Sequence, residues 1–154
     1  MIFIDSREPK TVQLELSAAV LGDASVRVLE TADVLMFDRL GHAVGIERKT
    51  LSDLLGSLGK RWGNQITRLS RDIDHPIVVV EGVYHLTPEG FIAIGKRVTG
   101  WRHNAMQMML WSAQRQGVTI LWTTDKPGVA DIVRTVHNRC LREKGCVVPG
   151  GEIQ

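Results

Sequence analysis

The chain has 154 residues, of which 44% are hydrophobic and 23% are charged, and its formal net charge at pH 7 is +2. This composition is typical of one globular domain and excludes a disordered chain, while the mild positive charge neither requires nor excludes a nucleic-acid partner. No segment approaches the roughly 18 consecutive apolar residues of a membrane helix, and the N-terminus lacks the basic region of a secretory signal.

The first half of the chain predicts mostly strands. Apolar residues alternate up to Asp5, a period of two returns after Ser25, and Gly41 marks a turn between two further alternating segments. The predicted elements are strands over residues 1–5 and 25–30, a helix over 11–22, and a hairpin formed by 33–39 and 43–48.

The second half predicts alternating helices and strands. Leucines at helical spacing from Leu51 to Leu58 predict a short helix that Gly59 ends, and a longer apolar stripe from Trp62 to Ile73 predicts another. Pro76–Gly82 is a continuous β-branched run typical of a central strand buried on both faces. The remaining elements are a long loop or small excursion over 83–100, helices over 101–116 and 129–142, and a strand over 118–123.

This order of elements predicts one α/β domain with a central mixed β-sheet flanked by helices. We expect the domain to span residues 1–143 and residues 144–154 to form a short C-terminal tail.

The two cysteines, Cys140 and Cys146, cannot by themselves supply four zinc ligands, and they indicate thiols in a reducing cytoplasm rather than a secreted protein. The five histidines show no H-x-H or H-x3-H spacing, so their spacing does not support a zinc site.

Charged residues gather at the base of the predicted hairpin. Pairing across Gly41 brings Asp33 close to Glu47, and alternation along the strand places Glu47 and Lys49 on one face and Arg48 on the other. Two carboxylates can hold Mg²⁺ or Mn²⁺ for phosphodiester hydrolysis, and a lysine can stabilise the charge of the transition state. A solvated cross-strand salt bridge is the alternative, although burial of the strand makes it costly.

Three further positions have two interpretations each. Asp53 lies three residues after Thr50, so it either forms a helix cap or contributes to the site. Asp5 and Arg7 lie on one face of the first strand, and Glu8 follows them. Asp5 either adds a carboxylate to the cluster of Asp33 and Glu47 or forms an ion pair with Arg7 at the strand end.

Two basic segments are candidates for DNA contact. Arg61, Gln65, Arg68 and Arg71 recur at helical spacing, which suits phosphate contacts or a charged solvent face. Lys96, Arg97 and the Trp101–Asn104 segment suit a DNA-contacting loop or ordinary packing.

These motifs resemble the nuclease domain of the XPF family of structure-specific DNA endonucleases, whose central motif is G-D-x(n)-E-R-K-x-x-x-D. The resemblance covers roughly residues 1–137. It rests on Ile4–Glu8, Ala32-Asp33, Ile46–Asp53, the R-x-x-x-Q-x-x-R-L helix from Arg61 to Leu69, Val80–Gly82, Gly117-Val118 and Thr124-Asp125.

The resemblance implies a restriction-endonuclease-like core and metal-dependent cutting of DNA near flaps, forks or junctions. Asp33 and Glu47 would be the metal ligands for Mg²⁺ or Mn²⁺, with the carbonyl of Arg48 a third. Lys49 would be the catalytic lysine. Asp5, Arg7, Glu8, Arg48 and Asp53 would complete the catalytic cluster, and Arg61, Gln65 and Arg68 would bind nucleic acid.

The sequence departs from the family pattern in two respects. Ala32 and Val34 replace a glycine and an aromatic residue on either side of Asp33, and the alanine would displace this ligand if the position requires positive φ. The helix-hairpin-helix modules common in cellular members are not found after the last helix. We therefore expect a compact stand-alone nuclease, of a virus or mobile element, that binds DNA as a homodimer or through a partner.

Family members pair through their C-terminal helices. In this chain the apolar positions available for such an interface, or alternatively for the domain's own core, are Met106, Met109, Leu110, Ile132, Val133 and Val136. The leading hypothesis is an endonuclease acting near DNA branch points in repair, recombination or replication. The alternatives are a catalytically silent scaffold that binds DNA junctions, and a nuclease acting on unbranched or single-stranded DNA.

Overall fold

A computed structural model of the protein describes residues 1–142. The predicted C-terminal tail and Cys146 lie outside these residues. The described strands are β1 (Ile2–Asp5), β2 (Ala24–Arg27), β3 (Val34–Phe37), β4 (Ala43–Thr50), β5 (His75–Glu81), β6 (His85–Leu86), β7 (Phe91–Ile94), β8 (Arg97–Arg102) and β9 (Thr119–Thr123). The described helices are α1 (Lys10–Ala19), α2 (Leu51–Ser57), α3 (Lys60–Asp72), α4 (His103–Arg115) and α5 (Lys126–Cys140).

The central sheet has the strand order β2-β1-β3-β4-β5-β9. The β3–β4 hairpin is antiparallel and also pairs antiparallel with β1, whereas β4, β5 and β9 run parallel to one another. The predicted mixed sheet in an α/β domain is therefore confirmed. Because β1, β4 and β5 end where β3 begins, their terminal residues meet at one edge of the sheet.

Helices cover both faces of this sheet. On one face, α2, α3 and α4 bury residues such as Leu54, Trp62 and Met106 in one hydrophobic cluster. On the other face, α1 and α5 bury residues such as Leu16 and Val133 in a second cluster. Strand β5 supplies alternate side chains to both clusters, which confirms that it is a central strand buried on both sides.

Residues 83–100, predicted to form a long loop or a small excursion, do not form a long loop. Instead, β6, β7 and β8 form a separate antiparallel sheet, and the glycines that interrupt the sequence pattern include turn residues at positive φ, Gly90 and Gly95. Trp101 and Arg102 belong to β8, so α4 begins at His103 rather than at Trp101. Strands of only two to six residues leave too little periodicity to detect in the sequence.

Several other boundaries differ from the predictions by a few residues. Helix α1 ends at Ala19 instead of residue 22, and β4 extends to Thr50 instead of ending at residue 48. The second strand ends at Arg27 instead of Glu30. Helix α5 begins at Lys126, three residues earlier than predicted, because the Asp125 side chain caps it by accepting a hydrogen bond from the Gly128 amide at 2.9 Å. Pro127 in the first turn is compatible with this start, since its missing N–H would have no helical partner there.

The apolar positions considered for a subunit interface mostly face the protein's own core. Met106, Leu110 and Val133 are buried in the two clusters. The other three, Met109, Ile132 and Val136, are partly buried against the same clusters. Packing of α4 and α5 on the sheet therefore accounts for these apolar positions.

None of the helices in residues 1–142 has the length and apolar composition needed to cross a bilayer.

Gly82 provides a test of the close contact between β5 and α2. A Cβ added to Gly82 would lie 2.9 Å from the Cβ of Leu51, and the φ of Gly82 is +144°. We expect Gly82→Ala to lower the free energy of unfolding by about 2 kcal/mol through overlap and backbone strain. The measurement is urea denaturation followed by circular dichroism.

Gly63→Ala is the matched control. Gly63 lies inside α3, and no atom lies within 4 Å of its added Cβ. Its replacement should raise the free energy of unfolding by about 0.5–1 kcal/mol because alanine favours the helix. Equal stability of the two variants would contradict the tight packing at Gly82.

Candidate active site

Asp33 is held in place by three hydrogen bonds to the backbone of β1 and β4. Its amide donates to the Ile46 carbonyl at 2.9 Å, and its own carbonyl accepts from the Asp5 amide at 2.8 Å. Its carboxylate oxygen Oδ2 accepts from the Arg48 amide at 2.7 Å. Since Val34 pairs with Ile46 in the hairpin, Asp33 lies beside Glu47, and the predicted convergence of the two residues is confirmed.

The two carboxylates form a like-charged and largely buried pair. Burial, followed by the negative charge of Glu47, raises the pKa of Asp33 to about 7. Burial also raises the pKa of Glu47, although the positive charges of Lys49 and Arg68 oppose this effect. The pair therefore lacks full compensation by the surrounding protein groups, which favours binding of a proton or a cation.

Lys49 lies on the same face of β4 as Glu47, as alternation along the strand predicts. The two side chains line a narrow pocket together with Gln65 and Arg68 of α3. Lys49 is only 8% exposed, so its long side chain is enclosed by the pocket walls. The Gln65 side-chain oxygen is buried without a hydrogen-bond partner, which leaves it available to a bound group.

Arg48 points to the opposite face and links two acidic side chains. Its guanidinium binds Glu8 at 2.9 Å and Glu81 at 3.3 Å. The charge of Glu8 also contributes to the raised pKa of both Asp33 and Glu47. Arg48 thus fixes the end of β4 on the side away from the pocket.

Glu81 was missed by the sequence analysis as a residue of this cluster. It is buried at the end of β5, opposite Thr50 in the parallel pairing. Its oxygen Oε2 has no hydrogen-bond partner, whereas Oε1 contacts Arg48. The available signal was an acid directly after a buried apolar run, on the strand parallel to β4.

The structure favours the structural interpretation of Asp5 and Asp53. Asp5 is buried and accepts from the Arg7 side chain at 2.8 Å. Burial alone would raise the pKa of Asp5, but its hydrogen bonds to Arg7 hold that pKa below the usual value. The Asp53 amide donates to the Thr50 hydroxyl at 3.1 Å, which is the predicted cap of α2. A direct part of either carboxylate in the chemistry stays a prediction.

The basic helix contributes unevenly to the site. Gln65 and Arg68 line the pocket, whereas Arg61 is exposed one turn before Gln65 on α3. Arg71 instead pairs with the neighbouring Asp72 at 2.6 Å. The structure therefore places Arg61, Gln65 and Arg68 on one side of α3, and DNA contact by these residues stays a prediction.

Two arginines of the small sheet, Arg97 and Arg102, make different contacts. Arg102 stacks over the Phe91 ring at 4.6 Å and donates to the Glu89 carbonyl, so it stabilises that sheet. Arg97 instead reaches the Ser52 hydroxyl, at 3.4 Å, beside the start of α2. Arg97 therefore extends from the small sheet towards the start of α2.

Ala32 has the positive φ that the family glycine would provide. Its φ is +71°, and its methyl group is buried in the first hydrophobic cluster. Asp33 nevertheless keeps its three hydrogen bonds to the neighbouring strands. The alanine therefore adopts the strained conformation without displacing the carboxylate.

The donors at this edge fit a hard divalent cation. Asp33 and Glu47 offer carboxylate oxygens, which Mg²⁺ and Mn²⁺ prefer over nitrogen or sulfur ligands. A cation between them would also neutralise the repulsion that raises the pKa of Asp33. These two residues are the candidate metal ligands.

Comparison with known proteins identifies relatives of this fold. A family model described as the ERCC4 domain matches residues 4–136. No curated protein matches the chain. Two similar solved structures are XPF from Aeropyrum pernix and XPF from the same organism in complex with DNA.

The two solved structures share the fold of the chain at low sequence identity. Each is 24% identical to it, with TM-scores of 0.68 and 0.67. The similarity covers 87% of this chain and 61% of each solved chain. The chain thus spans about three fifths of the length of the structures it matches.

Replacement of Ala32 tests the strain next to Asp33. Ala32→Gly should change the free energy of unfolding by less than about 1 kcal/mol, because relief of about 1–2 kcal/mol of strain offsets the lost methyl burial. Ala32→Val should lower it by more than about 2 kcal/mol, because a branched side chain suits neither the positive φ nor the packed core. Urea denaturation measures both variants, and equal tolerance of glycine and valine would argue against the positive φ.

The raised pKa of Asp33 predicts a pH-dependent stability. An acid with a raised folded-state pKa stabilises the fold below its unfolded pKa, and this contribution is lost as the pH rises through about 7. Without divalent cations, Asp33→Asn should therefore melt above the wild type at about pH 8, and the difference should shrink towards about pH 5. Thermal unfolding in EDTA measures this, with the exposed Glu15→Gln as control. A difference independent of pH would contradict the assignment.

Proposed function

The chain belongs to the ERCC4 domain family, and we propose that it is a divalent-metal-dependent DNA endonuclease that cuts near branch points. The observation that carries this proposal is the partly buried pair of Asp33 and Glu47, with the buried Lys49 on the same face of β4 as Glu47. A purely structural protein would gain nothing from two carboxylates that disfavour each other's ionisation.

Asp33 and Glu47 would hold the cation. A bound Mg²⁺ or Mn²⁺ would supply polarisation of the scissile phosphate and activation of water. Asp33 is well suited to this role because hydrogen bonds from the backbone fix its position before any cation binds. The carbonyl of Arg48 is a third candidate ligand.

Lys49 would stabilise the negative charge that develops on the phosphate. Its burial in the pocket keeps its ammonium group away from bulk water, where its electrostatic effect would be weaker. Arg48 would act as a positioning residue, since it binds Glu8 and Glu81 rather than the pocket. Arg7, whose charge acts on both Asp33 and Glu47, adds positive potential at the edge where a phosphate would approach.

DNA is the proposed substrate and α3 the proposed contact surface. The exposed Arg61 and Arg68 lie on the helix that borders the pocket, and Arg97 extends from the small sheet towards α2. One of the similar solved structures is a complex of XPF with DNA, which supports this assignment. Cutting near flaps, forks or junctions, in repair, recombination or replication, and pairing as a homodimer or with a DNA-binding partner are the finer parts of the proposal.

The decisive experiment is cleavage of an end-labelled DNA panel. Single-stranded, duplex, flap, fork and four-way-junction substrates would be incubated with Mg²⁺, Mn²⁺ or EDTA. We expect metal-dependent cutting of branched DNA by the wild type and none by Asp33→Asn, with Glu15→Gln active as a control. Cleavage in EDTA, or by the Asp33 variant, would contradict the assignment. Binding without cleavage would favour the scaffold alternative.

Lys49→Ala separates catalysis from binding. Loss of an ammonium group that acts on the transition state should lower the single-turnover cleavage rate about 100-fold or more and change the Kd for DNA less than about threefold. Rapid quench and fluorescence anisotropy measure the two quantities. Equal losses would instead identify Lys49 as a simple phosphate contact.

Replacement of Arg61 and Arg68 of α3 tests whether this helix contacts DNA. Arg61→Ala with Arg68→Ala should weaken binding and reduce the slope of log K against log salt by about 2, since each contacted phosphate contributes about 0.9. The matched control is Arg134→Ala with Arg139→Ala, two exposed arginines of α5 on the opposite face of the sheet. An equal loss in both double variants would indicate a nonspecific effect of net charge.

A further inference from the structure

A second group of metal-ligating side chains lies at the other end of the central sheet. Asp38 follows β3, His42 precedes β4, and His75 begins β5. One ligand atom from each of these residues lies within 4.8 Å of the other two. The spacing of histidines in the sequence did not indicate this group, because one ligand is an aspartate and His75 approaches only through strand pairing.

We propose that Asp38, His42 and His75 form a binding site for a first-row transition-metal cation, for which Zn²⁺ is the best match. Two imidazole nitrogens and one carboxylate oxygen are a common set of protein ligands for zinc, with water in the fourth position. The candidate active site instead offers carboxylate oxygens from Asp33 and Glu47. The two sites would therefore select different cations by the chemistry of their ligands.

The distances suit a single ion shared by the three residues. Oδ2 of Asp38 lies 3.1 Å from Nδ1 of His42 and 3.9 Å from Nε2 of His75. In a tetrahedral zinc site, with bonds of about 2.0–2.2 Å, the ligand atoms lie about 3.3–3.6 Å apart. Movements of a few tenths of an ångström would bring each nitrogen to such a separation from Oδ2 of Asp38, and the 49%-exposed His42 side chain has room to adjust its position relative to His75.

The carboxylate is oriented before any metal binds. Oδ1 of Asp38 accepts from the Leu40 amide at 2.8 Å and the His42 amide at 2.9 Å. These bonds turn Oδ2 towards the two imidazoles, which is how hydrogen bonds outside the metal's own ligands commonly orient a ligating group. The Asp38 side chain is almost fully buried, so Oδ2 is protected from bulk water.

The two histidines are held close by the pairing of β4 with β5. Val44 is opposite His75 in the parallel register, two residues after His42. The neighbouring Asp74 accepts from the Ala43 amide at 2.8 Å, which adds a second link between the starts of the two strands. A metal bound here would join the β3–β4 turn to β5 and stabilise the sheet.

The proposed site is separate from the candidate active site. Glu47 lies five residues after His42 along an extended strand, which corresponds to about 15–20 Å along β4. Metal binding at the histidines should therefore be measurable without any reference to nuclease activity. The failure of one assignment would leave the other intact.

The test is a titration of the untagged full chain with Co²⁺, which replaces Zn²⁺ and absorbs visible light when it has four ligands. We expect one saturable equivalent per chain, displaced by Zn²⁺ and not by excess Mg²⁺. Asp38→Asn and His42→Ala should weaken Co²⁺ binding at least tenfold, whereas His85→Ala, at an exposed histidine of β6, should bind as the wild type does. Zn²⁺ should raise the Tm of the wild type only where Co²⁺ binding is intact.

Folding of the variants is not expected to limit this test. His42 is half exposed, and Asp38→Asn keeps a side-chain oxygen that can accept the two backbone hydrogen bonds. Circular dichroism of the metal-free proteins checks both. The proposal is overturned if the wild type shows no saturable Co²⁺ absorption, or if the Asp38 and His42 variants bind Co²⁺ as tightly as the wild type.

Discussion

The rest of the site depends on one constraint: the β3–β4 hairpin holds Asp33 beside Glu47 in a largely buried position. Hydrogen bonds to the backbone of β1 and β4 fix Asp33, which holds the two carboxylates close together despite their repulsion. Burial of Asp33 and its closeness to Glu47 raise the pKa of Asp33 to about 7. The positive charges of Lys49, Arg68 and Arg7 act on this pair and compensate it only in part.

One face of β4 carries the candidate active-site residues, and the other carries the ion pairs that position the end of the strand. Glu47 and Lys49 face α3 and the pocket, whereas Arg48, between them in the sequence, faces α1 and α5 and joins Glu8 to Glu81. Because consecutive side chains of a strand point to opposite faces, three adjacent charged residues can serve two separate clusters. This arrangement lets the ion-pair network position the strand end without occupying the pocket.

Much of this could be predicted from short-range patterns. Strand alternation and the Gly41 turn were sufficient to place Glu47, Lys49 and Asp33 together, and the β-branched run identified β5. The positive φ of Ala32 and the participation of Glu81 depend on tertiary pairing, which no local pattern records. The small sheet was missed because its strands are short, and the grouping of His75 with Asp38 arises only when β5 pairs with β4.

The measurement that tests the central claim most directly compares Mn²⁺ binding with Mn²⁺-dependent cleavage in one protein preparation. Electron paramagnetic resonance gives the Kd of Mn²⁺, and cleavage of a flap substrate gives the concentration of half-maximal activity. If Asp33 and Glu47 hold the catalytic cation, the two values agree for the wild type, and Glu47→Gln weakens both at least tenfold. Unchanged Mn²⁺ binding in that variant, or cleavage that needs no divalent cation, would contradict the account.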